Sequence, residues 1–136
     1  MTTYHGKCHC GQTEWTTKLD ADAHILCHCN ACKLLSGGES TLNQMANEGD
    51  LKITKGSTKT YTYHGDSGKP VNCHYCPNCT SHIYHHQTVL GPKIVVRTGL
   101  LQGAAAAKFP VAAEIFGKDR LSWQPEIAKT FVAGPE

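Results

Sequence analysis

All eight cysteines of the 136 residues fall into three short clusters. They are Cys8-His-Cys10, Cys27-His-Cys29-Asn-Ala-Cys32 and Cys73-His-Tyr-Cys76-Pro-Asn-Cys79. The N-terminal residues Met1 to Gly11 show no basic segment followed by an apolar run, so no secretory leader is read there,. The expected compartment is therefore the cytoplasm, where thiols stay reduced and disulfides are rare. Closely spaced cysteines in that setting usually hold a metal ion. Unrelated buried free thiols fit such regular spacing poorly.

The spacings define two groups. Cys76-Pro-Asn-Cys79 is a C-x-x-C knuckle, and its Pro-Asn pair suits the tight turn between two converging thiolates. Cys8 and Cys10, if placed on a strand, point to one face two residues apart. Together these four thiolates match the usual count of a closed structural zinc site. Such a site joins the N-terminus to the middle of the chain and constrains a long loop. Cys27, Cys29 and Cys32 give three thiolates within six residues. Two readings stay open. Three protein ligands leave a position on tetrahedral zinc for water or substrate, as in catalytic sites. Alternatively Cys73 or a histidine closes the site. In an extended strand Cys73 and Cys76 point to opposite faces, which sets Cys73 apart from the knuckle.

Metal also suits the rest of the composition. Hydrophobic residues are 40% of the chain, but only three Phe and two Trp are among them. A core this lean benefits from cross-linking by metal. The length fits one domain, taken as residues 1–136 with a core at about 4–123 and a loose tail after Trp123,. Net charge is +2 with no basic block, so no nucleic-acid footprint is expected,. Seven thiolates and two Zn²⁺ contribute about −3, which brings the holo protein near −1. The weakly apolar stretch 103–115 contains Lys108, Pro110 and Glu114 and is no bilayer span,.

The remaining pattern reads as β-structure. Strands are expected over 13–19, 24–27, 40–45, 51–54, 58–64, 70–75, 82–86, 93–100 and 111–116. The segment Thr58 to His64 alternates strictly and is rich in Thr and Tyr, which favour strands. Gly103 to Lys108 has helix propensity but is too short to hold a helix unaided. Ser36-Gly37-Gly38 reads as a turn, with the alternative that its amides hold a substrate carboxylate. Lys33 is expected at the solvated surface. Nine histidines are many for this length; a catalytic acid or base among His82, His85 and His86 is one reading, and partly buried, hydrogen-bonded side chains are the other,.

Three ordered motifs carry a resemblance. Gly6-Lys-Cys-His-Cys-Gly11, Cys27-His-Cys-Asn-Ala-Cys32 and Cys76-Pro-Asn-Cys79 are similar to those of the glutathione-dependent formaldehyde-activating enzyme family, whose domain is shared with centromere protein V. The resemblance spans roughly residues 4 to 123. It implies an all-β, twisted β-tent-like fold with cysteine-bearing loops and little helix. It implies one structural Zn²⁺ on Cys8, Cys10, Cys76 and Cys79, and one catalytic Zn²⁺ on Cys27, Cys29 and Cys32. It further implies a carbon–sulfur lyase that joins formaldehyde to glutathione as S-hydroxymethylglutathione. The expected partner is a small molecule, with glutathione a candidate, and neither nucleic acid nor membrane. The alternatives are another small-molecule zinc enzyme on the same scaffold, or a non-catalytic zinc-binding interaction module. Two departures stand out: Thr80 follows the knuckle where the family often carries Gly, and Cys73 is additional.

Overall fold

The computed structural model describes residues 2–103 and 107–134. The chain is mostly β and forms two sheets. β1 (Tyr4–Lys7), β2 (Glu14–Thr17) and β5 (Lys52–Lys55) make a small antiparallel sheet in the order β1-β2-β5. The large sheet contains β3 (His24–Cys27), β4 (Thr41–Asn47), β6 (Lys59–His64), β7 (Pro70–Tyr75), β8 (His82–Gln87), β9 (Lys93–Arg97) and β10 (Val111–Ile115). Its order is β10-β3-β4-β9-β8-β7-β6. Only the β10–β3 pair is parallel, and the other neighbours are antiparallel.

Alternation places the core. In β8, Ile83, His85 and Gln87 turn inward, and Val71 and Cys73 do the same in β7. The central strand β9 buries both faces, as its run Ile94-Val95-Val96 requires,. Tyr4, Leu19, Ala46, Ile94, Val96 and Leu101 form the main apolar cluster. Trp15, 1% exposed, packs with Cys8, Cys76 and Ile83 in a second cluster under the knuckle. The Trp15 ring leaves room only for glycine at position 6. A Cβ there would sit 2.1 Å from Trp15 Cε2.

Four features differ from the sequence expectations. Cys8 and Cys10 lie in a turn after β1, not on a strand. Gly11, at φ +79°, closes it with its amide on the Cys8 carbonyl at 3.1 Å. A short helix, α1 (Asn30–Ser36), follows β3. Seven residues are too few to show a helical period. The helix is held at its ends instead. Cys29 Sγ accepts from the Cys32 amide at 3.3 Å, and Gly37, at φ +69°, donates to the Lys33 carbonyl at 2.8 Å,. The strand expected over 93–100 ends at Arg97, and Thr98–Leu100 is a 3₁₀ turn. Finally, the tail is held against β10. The Phe131 amide donates to the Glu114 carbonyl at 2.8 Å, and the Glu114 amide donates to the Lys129 carbonyl at 2.9 Å. Of the segment Gly103 to Lys108, residues 104–106 lie outside the described residues. Among the described residues, no helix is long and apolar enough to cross a membrane.

Candidate metal centres

The fold gathers the two cysteine groups without disulfides. All eight thiols are free. The sulfurs of Cys8, Cys10, Cys76 and Cys79 lie within 4.8 Å of one another. Cys8 Sγ is 3.6 Å from Cys10 Sγ, which is 3.7 Å from Cys76 Sγ. Four sulfurs at about 2.3 Å from one tetrahedral ion stand about 3.8 Å apart, so the donor set fits zinc. Backbone amides face the sulfurs as well. Thr13 N donates to Cys8 Sγ at 3.3 Å, and Gln12 N to Cys10 Sγ at 3.5 Å. Cys79 is pushed down to about 5, first by its hydrogen bond with the Ser81 hydroxyl, while burial pushes Cys8 up.

The second group sits where β3 runs into α1. Cys27 ends the strand, Cys29 caps the helix and Cys32 lies in its first turn. All three are buried, and their sulfurs lie within 4.8 Å of one another. Three thiols this close cannot all ionise unaided. Hydrogen bonds from Cys27 and Cys29 hold Cys32 low, while those from Cys27 and Cys32, with burial, push Cys29 far up. A divalent cation relieves that conflict by favouring all three thiolates. Among the described residues, no further Cys, His, Asp or Glu joins this group. Cys73 belongs to neither group. It is 3% exposed in β7, opposite His85, and burial pushes its thiol up to about 11.

A second layer surrounds the three sulfurs. Arg97, 6% exposed at the end of β9, directs Nη1 toward Cys32 Sγ at 4.0 Å and donates to Asn43 Oδ1 at 2.6 Å. Asn43 is fixed in turn by Nδ2 bonds to the Thr41 carbonyl and hydroxyl at 3.1 and 2.9 Å. His28, between the ligand positions, is fully buried, and its Nε2 donates to Glu114 Oε1 at 2.7 Å. A cavity of about 30 Å³ touches Cys27, Cys29 and Cys32 and is walled by Asn43, Tyr63, His85, Gln87, Val95 and Phe116. That volume holds about one or two water-sized groups. A cleft of about 290 Å³ shares Cys29, Tyr63 and Phe116 with it and carries Asn30, Leu34, Asp66 and Lys118.

Several candidates are engaged elsewhere. Lys33 Nζ donates to the Asp119 carbonyl at 2.6 Å. The amides of Gly37 and Gly38 are taken by the Lys33 carbonyl and Ser36 Oγ, so no free anion cradle stands there. His86 is bound through Nε2 to the Gly91 carbonyl at 2.6 Å and through Nδ1 to Glu48 at 3.2 Å. His85 lines the small cavity, with its Nε2 3.2 Å from Gln87 Nε2. Arg97, Asn43, Glu114 and Phe116 escaped the sequence reading. For Arg97 and Glu114 the available signal was a charge set against an apolar run, as in Ile94-Val-Val-Arg97 and Val111-Ala-Ala-Glu-Ile115.

The architecture is thus a two-sheet β domain with one four-cysteine and one three-cysteine group, each arranged so that it could hold a metal ion. A sequence profile described as "Glutathione-dependent formaldehyde-activating enzyme" matches residues 3–119, and the chain belongs to that family. Comparison with curated proteins gives no significant match. Among solved structures, the chain is similar in fold to a Rhodobacter sphaeroides protein determined by crystallography as a structural-genomics target. The TM-score is 0.60 at 19% identity, covering 79% of this chain and 99% of that one.

Proposed function

We propose that the protein is a zinc-dependent carbon–sulfur lyase-type enzyme that joins a small carbonyl compound to a thiol, in the manner of S-hydroxymethylglutathione synthesis. One observation carries the reading: three clustered sulfurs lack a fourth protein ligand among the described residues and border a cavity that shares its wall with a larger cleft. The family name supplies glutathione and formaldehyde as the substrates to test first. Cys8, Cys10, Cys76 and Cys79 would hold a structural Zn²⁺, and Cys27, Cys29 and Cys32 a catalytic one. Bound there, zinc supplies acidity to a thiol and polarises a carbonyl oxygen.

The chain's own residues do the rest. Three thiolates on a divalent ion leave a net charge of −1, and Arg97 beside Cys32 offsets it,. Tyr63 and Phe116 wall the small cavity and narrow the approach to it. The reaction forms one sulfur–carbon bond, breaks the carbonyl π bond and moves the thiol proton to the carbonyl oxygen. His85 and Gln87, two of the polar side chains that line the cavity beside Asn43 and Tyr63, would guide that proton. Burial, and then Arg97, push His85 down to about 3, so at neutral pH it is an uncharged hydrogen-bonding group,.

A second reading keeps the scaffold and changes the thiol. The cleft is lined by Lys118 but also by Asp66 and Asp119, a poor match for the two carboxylates of glutathione. Calorimetry of the zinc-loaded protein separates the two. Glutathione binding that is lost in Cys29→Ser supports the first reading. Absence of heat at millimolar glutathione, with binding of another small thiol, supports the second. Binding of no thiol removes both.

A further inference from the structure

A separate cleft of about 430 Å³ opens between the two cysteine groups. One wall follows α1 and enters β4, with Ser36, Ser40 and Leu42. The other begins just past the knuckle, with His82. Arg97 also lines the cleft, and none of the seven cysteines of the two groups does. Three facts make it more than a surface dent. Arg97 is 6% exposed and has no carboxylate partner among the described residues. His82 Nε2 is buried and lacks a hydrogen-bond partner. No acidic residue lines the cleft, while hydroxyls and leucines do.

A buried cation and an orphaned polar nitrogen are both costly unless something answers them. Asn43 takes one of the five N–H groups of the guanidinium, and Cys32 lies at a long 4.0 Å from the same nitrogen,. We propose that this cleft is a binding site for a small aliphatic monocarboxylate. The carboxylate meets Arg97 and His82 Nε2, Ser36 and Ser40 supply hydroxyls, and the alkyl portion lies against Leu42. A single full cation favours a monoanion over a dianion such as phosphate, and the apolar wall favours a carbon tail. Since the same guanidinium reaches toward Cys32, an occupant here shares that cation with the three-cysteine group. The site does not depend on which thiol the enzyme uses.

Amide NMR of the zinc-loaded protein, titrated with butyrate, acetate and inorganic phosphate at fixed ionic strength, tests this. Butyrate is expected to move the amides of 36–41 and 80–82 and to saturate at millimolar concentration. Acetate and phosphate are expected to bind at least several-fold more weakly. His82→Leu and Ser40→Ala, each checked for a native spectrum, are expected to weaken butyrate binding about tenfold, the effect of one lost hydrogen bond to a charged group. Three results would each overturn the assignment: shifts confined to the Lys118 cleft, phosphate binding as tightly as butyrate, or butyrate affinity unchanged in both variants.

Discussion

Glu114 and His28, 86 residues apart in sequence, meet at 2.7 Å with both side chains fully buried. One carboxylate oxygen accepts from His28 Nε2, which stands between two cysteines of the three-cysteine group. The other accepts from the amides of Ile127 and Ala128 at 2.7 and 3.0 Å. A single carboxylate thus ties the C-terminal tail to the turn that presents Cys27 and Cys29. Arg120 Nη2 adds a longer contact to Glu114 at 3.4 Å.

Glu114→Gln should loosen both attachments. Burial pushes the Glu114 carboxyl up, but the Ile127 amide, then His28 and the Ala128 amide, outweigh it and hold it at about 2, below its ordinary 4.5. A depressed carboxylate pKa adds stability that is present above 4.5 and fades as pH falls toward 2. At neutral pH the variant should lose about 3 kcal/mol, as when a buried pair is broken. Urea unfolding of the two proteins should show a constant gap down to about pH 4.5 and a closing gap below it. Hydrogen exchange should accelerate at the amides of Ile127 and Ala128.

Metal analysis of protein purified without chelator should give close to two zinc ions per chain. Cys76→Ser breaks the group that staples the N-terminal turn to the knuckle, and should unfold the domain or make it insoluble. Cys29→Ser should leave a folded protein with one zinc. Cys73→Ala should keep both metals and cost about 1 kcal/mol, the loss of one small buried group. Loss of a metal in the last variant, seen by mass spectrometry under native conditions, would place Cys73 among the ligands after all.

Several strands were legible because turn residues and cysteine clusters bound short β-prone runs,. The spans of β3 and β7 match the expected 24–27 and 70–75, where cysteine turns or glycines mark the ends. Spacing marked the cysteine clusters, but it allowed either Cys73 or Cys79 as the partner of Cys76; the Pro77-Asn78 turn and the family resemblance picked Cys79, which the structure places with Cys8, Cys10 and Cys76. What carries the sulfurs was not legible. Cys8 and Cys10 gather through a turn at Gly11, and Cys29 gathers with Cys32 by capping a helix too short to show a period. The surroundings were also hidden. Arg97 and Glu114 come from β9 and β10, and only tertiary pairing brings those strands beside β3 and β4. The tail looked loose because backbone hydrogen bonds to β10 and the buried Glu114 carboxylate hold it, rather than an apolar stripe.

Thr80, directly after Cys79, has φ +67°. β-branched residues avoid this left-handed region, and glycine enters it freely. The strain comes with closing the knuckle, since the Thr80 amide donates to the Cys76 carbonyl at 3.0 Å. Thr80→Gly should therefore keep the turn and gain about 1 kcal/mol, the lower end of such strain. Thermal unfolding would show a higher midpoint with unchanged zinc content. A lower midpoint would mean that the Thr80 side chain contributes more than its backbone costs.

Phe116 should set which carbonyl compounds enter. It is 3% exposed, packs against Cys27, Cys29 and Cys32, and walls both the small cavity and the larger cleft. A cavity of about 30 Å³ admits a one-carbon group and little more,. Phe116→Leu shortens that wall while keeping it apolar, so the fold should survive with a loss of about 1 kcal/mol. One methylene in an apolar pocket is worth roughly 10- to 200-fold in discrimination. The variant should therefore narrow the preference for formaldehyde over acetaldehyde by about tenfold, at the low end of that range. The measurement is adduct formation with the accepted thiol, followed by carbon NMR for each aldehyde. If the preference is unchanged while the protein stays folded and metal-loaded, the carbonyl carbon does not sit in this cavity, and the larger cleft at Lys118 becomes the place to look for it.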